Sequence, residues 1–297
     1  MHDGELAVPV STVRDLIDEQ FPQWRPLTVK RLDSSGTVNA IFRIGEELAG
    51  RFPLVPDEIS KVRRQLRAEA DAAAELAAHT RFPVPVPVAL GEPGAGYPLP
   101  WSVQTWLPGE TADVNDPGSS IAFAHDLADF IEDVRAVDTR GRVFGGRGRG
   151  GDLRREDAWM ATCFERSEGL LDVPVLRRLW AELRELPRRA DDGMTHGDLI
   201  PGNVLVADGR LAGVLDTGGL GATDPALELV GAWHLLEDEP RAVLRDRLRC
   251  DDVAWQRGRA WAFAQAMGLV WYYRQTNPTM ARTGRRTLER ILAAERE

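Results

Sequence analysis

Alternating apolar and polar residues place a β-sheet in the first hundred residues of the chain. Three short β-like runs occupy 27–32, 39–44 and 47–52. Turn residues separate them, 33–36 after the first run and Gly45 after the second. Such runs predict an antiparallel meander.

Helical spacing of apolar residues flanks the meander and dominates the rest of the chain. Residues 11–20 open with Ser11 or Thr12, which predicts a capped helix. The segment 57–80 predicts a second helix. A strand in WSVQT then leads into Pro108-Gly109, a natural boundary. Further helices are predicted at about 119–138, 153–170, 174–190, 225–236, 240–247, 251–275 and 279–296.

This order predicts an α+β protein with two parts. An N-terminal antiparallel sheet with one key helix covers residues 1–106, and a mainly helical C-terminal part covers 107–297. A chain of 297 residues is long for a single core, which agrees with two lobes. A β-hairpin is expected over 203–216, because Asp208-Gly209 is a strong hairpin turn signal.

The composition is that of a globular protein, with 43% apolar and 28% charged residues. A net charge of −9 argues against a nucleic-acid partner. It agrees with a cationic substrate or with plain solubility. The spacing of Cys163 and Cys250 matches neither a metal site nor a CxxC motif. No secretory signal is visible. The apolar stretch 260–273 is too short to span a bilayer. We therefore expect a cytoplasmic protein without a membrane partner, monomeric or homodimeric.

One segment, RGRVFGGRGRGGDLRR at 140–155, contains six Arg and six Gly. It has two interpretations, a flexible solvated loop or an RGG-like nucleic-acid segment. The acidic remainder of the chain favours the loop.

The chemistry is concentrated in 194–229, MTHGDLIPGNVLVADGRLAGVLDTGGLGATDPALEL. Phosphoryl transfer needs a carboxylate that orients a hydroxyl and oxygen ligands that hold Mg²⁺. Asp198, Asn203 and Asp216 are groups of this kind, and the predicted hairpin would bring Asp216 back beside Asn203. The alternative is that all three are turn and cap residues, a common use of Asp and Asn.

His196-Gly197-Asp198 followed by Asn203 resembles the HRDxxxxN catalytic loop of protein kinases, with Gly in place of Arg. With the later Asp216, the pattern is similar to that of the aminoglycoside phosphotransferase and choline kinase superfamily. The meander, the WSVQTWLPGE connection, the HGDLIPGN loop and the TDPALEL helix occur in the family's order. The resemblance covers nearly the whole chain and implies a two-lobed, protein-kinase-like fold.

The resemblance also implies Mg²⁺-dependent transfer of the γ-phosphate of ATP or GTP to a hydroxyl of a small molecule. Asp198 would be the catalytic base or orienting carboxylate, and Asn203 and Asp216 would bind Mg²⁺. His196 would support the loop structurally. Asp224 is interpreted as a helix cap before Pro225 that braces the loop.

The nucleotide is expected in the N-terminal part. The turn residues Ser35, Gly36 and Thr37 would contact phosphates through backbone N–H groups, and backbone groups of Gln104 and Trp106 would contact the base. The family commonly has a Lys on the third strand, where this chain has Arg51. Arg can bind phosphate in bidentate fashion. The acidic partner of Arg51 is predicted to be Glu69, with Glu75 as second choice.

The acceptor is expected in the helical part, and the candidate residues are Asp157, Glu237, Asp238 and Tyr273. The leading hypothesis is an antibiotic kinase whose acceptor is an aminoglycoside, a macrolide or a nucleoside-like compound, conferring resistance or self-resistance. A metabolic kinase for choline, homoserine or a sugar is the alternative. A nucleotide-binding pseudokinase is a third hypothesis, supported only by Arg51 in place of Lys.

Overall fold

The fold is described from a computed structural model that covers residues 5–32 and 38–295. The first part of the chain contains a five-stranded antiparallel sheet. Its strands are β1 Val29–Arg31, β2 Asn39–Ile44, β3 Leu48–Pro53, β4 Pro87–Gly91 and β5 Trp101–Thr105. They lie in the order β1-β2-β3-β5-β4. The predicted meander is confirmed by the antiparallel pairing of β1 with β2 and of β2 with β3.

Two helices accompany this sheet, α1 Val10–Gln20 and α2 Ile59–Ala77. The predicted cap of α1 is wrong. The helix begins at Val10, after Pro9, and no side chain caps it. Ser11 and Thr12 therefore lie inside the first turn, where the helical N–H groups are unpaired in any case.

Aromatic side chains fill the core of this part. Trp101 is fully buried, and its ring stacks on Phe52 with centroids 4.6 Å apart. A Cβ at Gly91 would lie 2.1 Å from the Trp101 ring, so only glycine leaves room for the indole. Trp101 is thus a core residue.

The second part is mainly helical, as expected. Its helices are α3 Ile121–Ala136, α4 Asp157–Arg166, α5 Val173–Leu183, α6 Val230–Leu235, α7 Asp238–Arg247, α8 Asp252–Tyr272 and α9 Pro278–Ala293. Helix α8 is buried along most of its length, which confirms a buried helix near 260–273. No helix in 5–32 or 38–295 combines the length and apolar content that a membrane crossing needs.

Short strands complete this part: β6 Glu110–Thr111, β7 Gly193–Thr195, β8 Val204–Ala207, β9 Arg210–Val214 and β10 Gly221–Thr223. The expected hairpin is confirmed, since β8 pairs antiparallel with β9. Its turn residues Asp208 and Gly209 have φ of 51° and 68°. Positive φ at both positions is what a type I′ turn requires. β6, β7 and β10 have too few residues for periodicity to reveal them.

Internal contacts divide the chain into two units. The first runs to Ala78 and includes Pro83–Pro108 and Asp216–Gly218. The second contains His79–Phe82, Gly109–Leu215 and the chain from Gly219 onward. The division predicted after residue 106 stays a prediction.

Candidate active site

The HGDLIPGN loop follows β7 directly, and a buried carboxylate fixes its first turn. Glu228 Oε2 accepts hydrogen bonds from the backbone N–H of His196 at 2.8 Å and of Gly197 at 3.1 Å. Gly197 has φ of 76°, a conformation that glycine adopts without strain. Complete burial raises the pKa of Glu228, while its two backbone donors and the nearby His196 oppose that rise.

The His196 ring ties the loop to the neighbouring hairpin. The ring is buried, and its Nε2 lies 2.9 Å from the carbonyl oxygen of Leu215. A carbonyl can only accept, so Nε2 carries the proton and Nδ1 accepts from the backbone N–H of Asp198 at 3.4 Å. These contacts hold the loop against the β8–β9 hairpin.

Asp198 presents a carboxylate that is 33% exposed and bonded on both oxygens. Its Oδ2 accepts from the side-chain amide of Asn203 at 3.0 Å. Its Oδ1 accepts from Nη2 of Arg149 at 2.8 Å and from Nε2 of Gln265 at 3.2 Å. The orientation of this carboxylate is therefore fixed by three side chains of the same unit.

Behind Gln265 lies a buried series of polar side chains. Gln265 Oε1 is 2.9 Å from Nε2 of His234, and His234 Nδ1 is 2.8 Å from the hydroxyl of Thr287. Because the Gln265 amide nitrogen donates to Asp198, its oxygen must accept from His234 Nε2–H. Burial lowers the pKa of His234 to about 4, so the ring is neutral. The Thr287 hydroxyl near Nδ1 also lies 2.9 Å from the carbonyl oxygen of Thr283.

Asp224 forms buried hydrogen bonds beside the HGDLIPGN loop. Its Oδ1 accepts from the backbone N–H of Ala226, as a helix cap does, and its Oδ2 accepts from Nε of Arg257 at 2.8 Å. The backbone N–H of Asp224 donates to the carbonyl of Gly150 at 2.9 Å. Asp224 and Arg257 are each 3% exposed in their side chains.

The same contacts correct the interpretation of the Arg/Gly-rich segment. Its later residues are not a solvated loop, since Gly150, Gly151 and Leu153 are buried. The Gly151 carbonyl accepts from Nη2 of Arg257 at 3.2 Å. Here the backbone oxygens of small residues bond to buried polar groups, which composition alone does not reveal.

Asn203 lies at the open end of the hairpin. The backbone N–H of Leu215 donates to the Asn203 carbonyl at 2.7 Å, and Asp216 is the next residue along the chain. Both hydrogen bonds of the Asn203 amide nitrogen go to Asp198, one to its carbonyl and one to Oδ2. The amide oxygen is thus the atom suited to a cation.

In the first unit, Arg51 lies between two carboxylates. Its Nη1 is 3.5 Å from Glu69 Oε2 and its Nη2 is 3.0 Å from Asp216 Oδ1. The structure therefore brings Arg51 and Glu69 together. Asp216 has φ of 55°, an uncommon left-handed conformation that Asp tolerates. A Cβ at Gly218 would lie 2.6 Å from Glu69 Cγ, so glycine there leaves room for the glutamate.

A cavity of about 220 Å³ in the first unit borders this group. It is lined by polar residues that include Arg51, Glu69 and Gln104, and by small residues of α2. The backbone N–H of Trp106 donates to the Glu47 carbonyl at 2.7 Å, which leaves only its carbonyl for a base. Ser35, Gly36 and Thr37 lie outside the described residues.

The four residues suggested for the acceptor already have partners. Asp157 accepts from Nε of Arg184 at 2.9 Å and from the Trp180 indole at 3.0 Å. Glu237 forms ion pairs with Arg286 and Arg290. Hydrogen bonds from Arg290 and Arg286 lower the pKa of Glu237 to about 2. The remaining contacts are Glu237 to Arg286 at 2.6 Å and Arg290 at 2.8 Å, Asp238 to Arg241, and the Tyr273 ring to Tyr272 at 4.9 Å.

A second cavity, of about 460 Å³, lies within the second unit. It borders the HGDLIPGN loop at Pro201 and the buried series at His234. Its charged lining consists of Asp113, Asp116, Arg282, Arg285, Arg286 and Glu289. Most of these come from α9, a helix to which the sequence pattern assigned no chemistry.

The described residues contain no group of three or more His, Cys, Asp or Glu side chains that could hold a metal. Mg²⁺ in kinases is usually held by one or two carboxylates and by the substrate's phosphates. An Asn oxygen and one Asp are therefore a chemically adequate protein contribution. Asp216 is 52% exposed, so its carboxylate is open to a ligand.

An antiparallel sheet with one key helix, a mainly helical second unit and an HGDxxxxN loop define the class of kinase-like phosphotransferases. The model of the phosphotransferase enzyme family matches residues 24–261, and the chain belongs to this family. Solved structures with the same fold confirm the predicted α+β, kinase-like fold.

One such structure is the GDP complex of wild-type aminoglycoside 2'-phosphotransferase-IIIa. Its TM-score is 0.68 at 17% identity, over 97% of this chain and 100% of that one. Macrolide 2'-phosphotransferase from Brachybacterium faecium aligns with a TM-score of 0.62 at 19% identity, over 92% of this chain and 97% of that one.

Sequence similarity to curated proteins is local. An aminoglycoside 3'-phosphotransferase of Streptomyces fradiae is 38% identical over 97 residues, 28% of this chain and 36% of that protein. One of Escherichia coli is 36% identical over 73 residues, 24% of this chain and 26% of that protein. The chain thus aligns with about a third of these relatives or less.

Sequence reasoning missed Arg149, Gln265 and His234. Arg149 lies in a segment of biased composition, and the other two lie on helices with apolar neighbours. The sequence held one signal for this network, a polar residue within the apolar run of α8. A buried polar group needs a hydrogen-bond partner, so such a residue indicates a polar contact in the core. Gln265 interrupts that run.

Proposed function

We propose that the protein transfers the γ-phosphate of ATP or GTP to a hydroxyl of a small molecule. The relatives named as aminoglycoside and macrolide phosphotransferases support an antibiotic-like acceptor. The observation that carries the proposal is the Asp198 carboxylate, which is accessible at 33% and yet fixed by Asn203, Arg149 and Gln265. A fixed, accessible carboxylate can orient an acceptor hydroxyl without reorganisation during the reaction.

In the proposed reaction the acceptor oxygen bonds to the γ-phosphorus while the bond from that phosphorus to the β–γ bridging oxygen breaks. The nucleoside diphosphate leaves, and the hydroxyl proton passes to Asp198 and then to solvent. Oδ2 of Asp198 has one side-chain donor and Oδ1 has two, so Oδ2 is the oxygen we assign to the hydroxyl. Positioning matters more than basicity here, since phosphoryl transfer has a loose transition state.

The phosphate-binding roles are assigned to the first unit. Arg51 would neutralise phosphate oxygens with Glu69 holding its guanidinium. Gln104 and the carbonyl of Trp106 would contact the base, and Ser35, Gly36 and Thr37 remain a prediction for the phosphates. Asn203 and Asp216 would hold Mg²⁺, which supplies charge neutralisation on the phosphates when bound.

The test combines nucleotide binding with turnover. We expect Mg²⁺ with ATP or GTP to raise the melting temperature, because a ligand that binds only the native state stabilises it. We expect Asp198→Asn to keep that shift and to lower turnover by about 10²–10⁴-fold on pooled hydroxylated antibiotics. Asp191→Asn, an exposed aspartate in the same unit, serves as the matched control.

A stability shift without turnover on any acceptor would favour the pseudokinase instead. The absence of a shift with either nucleotide at millimolar concentration would overturn the proposal. Turnover that survives Asp198→Asn unchanged would remove Asp198 from the catalytic role.

A further inference from the structure

Arg149 is fixed in place by its neighbours in the chain. The Gly150 carbonyl accepts from the backbone N–H of Asp224, and the Gly151 carbonyl accepts from Arg257. Gly150 has φ of 107°, and a Cβ there would lie 2.5 Å from the Cβ of Thr223. The two glycines pack closely and thus determine where the Arg149 side chain starts.

The Arg149 guanidinium lies against the oxygen of Asp198 that Gln265 also contacts. Its Nη2 is 2.8 Å from Asp198 Oδ1, and its side chain is 36% exposed. A guanidinium has five N–H donors in a planar fork, so a single bond to Asp198 leaves most of them for a ligand. A cation fixed beside the hydroxyl-orienting carboxylate is part of the surface that an acceptor meets.

The carboxylates suggested for the acceptor do not pair with Arg149. Glu156 is close enough for the Arg149 charge to oppose the rise that burial causes in the pKa of Glu156. Asp157, Glu237 and Asp238 each pair with arginine, and Asp116 pairs with Arg286. In the part of the chain that the structure describes, no carboxylate pairs with Arg282 or Arg285, both of which line the 460 Å³ cavity.

Two carboxylates of that cavity also make no ion pair with the described residues, Asp113 and Glu289. The buried Oδ1 of Asp113 has no hydrogen-bond partner there. The unpaired charges of the cavity are therefore balanced, two positive and two negative. This lining therefore offers a polycation no excess of negative charge.

We infer that the acceptor carries a carboxylate or phosphate group near its reactive hydroxyl, and that Arg149 binds this group. The inference rests on the proposed function, because it concerns the acceptor of the Asp198 reaction. The hydroxyl would contact Asp198 Oδ2 while Arg149 stays on Oδ1. Charge-assisted bonds from a guanidinium to carboxylate or phosphate are strong and directional. An ammonium at the same place would meet Arg149 as a like charge.

The experiment measures nucleoside diphosphate release with three acceptor pools of equal concentration. One pool contains polycationic aminoglycosides, one contains macrolides and nucleosides, and one contains hydroxy acids, uronic acids and sugar phosphates. We expect the acidic pool to give the highest rate. Deconvolution into hydroxy acids and uronic acids on one side and sugar phosphates on the other then separates carboxylate from phosphate recognition.

The variant Arg149→Ala, assayed with the best acidic acceptor, tests the residue itself. Its KM for that acceptor should rise about 10- to 100-fold, the range for a charged hydrogen bond. Its KM for the nucleotide should stay unchanged, and Arg149→Lys should recover part of the loss. Arg147→Ala, an exposed arginine two residues away, should leave both KM values unchanged.

Two outcomes would overturn the inference alone. One is a highest rate in the polycationic pool or in the pool of macrolides and nucleosides. The other is an acceptor KM that Arg149→Ala leaves unchanged or lowers, which would mean that the arginine obstructs the site. Absence of turnover in every pool would overturn the proposed function itself, and the inference with it.

Discussion

Asp198 and Arg51 are both charged residues of the proposed reaction, but the protein holds them in different ways. Asp198 is oriented by side chains that continue into the buried Gln265, His234 and Thr287. Arg51 is oriented by Glu69 and by Asp216, and the latter is half exposed. The first arrangement combines an ion pair to Arg149 with hydrogen bonds that continue into the interior. The second consists of ion pairs, one of them to the half-exposed Asp216.

This difference indicates what each site is built to do. Buried hydrogen bonds cost free energy when they are broken, so they preserve one geometry. Accessible ion pairs are weak and exchangeable, so a guanidinium can leave a carboxylate for a phosphate. Orientation of the acceptor should therefore depend on stability of the interior, and nucleotide binding should depend on charge.

Breaking the buried ion pair of Asp224 and Arg257 beside the HGDLIPGN loop should have the largest effect. In Asp224→Ala the Arg257 guanidinium stays buried without its carboxylate, and such changes cost about 3–5 kcal/mol of unfolding free energy. The measurement is urea unfolding followed by circular dichroism. Glu132→Ala, which breaks an exposed pair with Arg247, should cost about 1 kcal/mol or less. Equal losses of unfolding free energy in the two variants would contradict the claim that the buried ion pair matters more than the exposed one.

Acid should weaken the buried series through His234. Its pKa is lowered to about 4 in the folded chain by burial, against an unfolded value of 6.5. The folded state thus binds fewer protons, so this contribution is fully present above pH 6.5 and is lost as the pH falls toward 4. The difference amounts to about 3 kcal/mol.

The measurement is unfolding free energy at pH 7 and pH 4.5 for the native chain and for His234→Gln. The variant should lose part of the pH dependence between these values, because no imidazole is left to be protonated. His125→Gln removes an exposed histidine and should keep the full dependence. The same slope in both variants would show that His234 does not control it.

How much the sequence could predict follows from the range of each interaction. The meander, the hairpin and most helices depend on local periodicity and turn chemistry, and the structure confirms them. The loop pattern pointed to Asp198, Asn203 and Asp216 because phosphoryl transfer needs groups of this kind and because their spacing resembles that of a kinase-like family. The catalytic and metal-binding roles of these residues stay predictions.

The interactions that were missed are those between residues distant in sequence. Arg149 and Gln265 converge on Asp198 from 49 and 67 positions away. The Arg/Gly-rich segment was interpreted as a loop from composition, yet two of its glycines are buried for close packing. The N-terminal cap was misplaced because Pro9, not a hydroxyl residue, precedes the helix. Periodicity contains no information about such partners.

Changing Arg51 should have the smallest effect on stability and a specific effect on the nucleotide. Arg51→Ala removes a charged donor for phosphate, a contact that typically contributes about 1.5–3 kcal/mol. We expect nucleotide Kd to rise about 10- to 100-fold, and Arg51→Lys to recover most of the loss. Acceptor KM should stay unchanged, because the buried support of Asp198 is intact.

Calorimetric titration with a non-hydrolysable nucleotide and Mg²⁺ measures this Kd without turnover. Arg63→Ala is the matched control, an arginine of α2 that pairs with Glu92 outside the lining of the first-unit cavity. It should bind nucleotide as the native chain does. If Arg51→Ala binds equally well, phosphate neutralisation does not depend on Arg51. Binding of the nucleotide phosphates would then have to be assigned to other groups of the first unit.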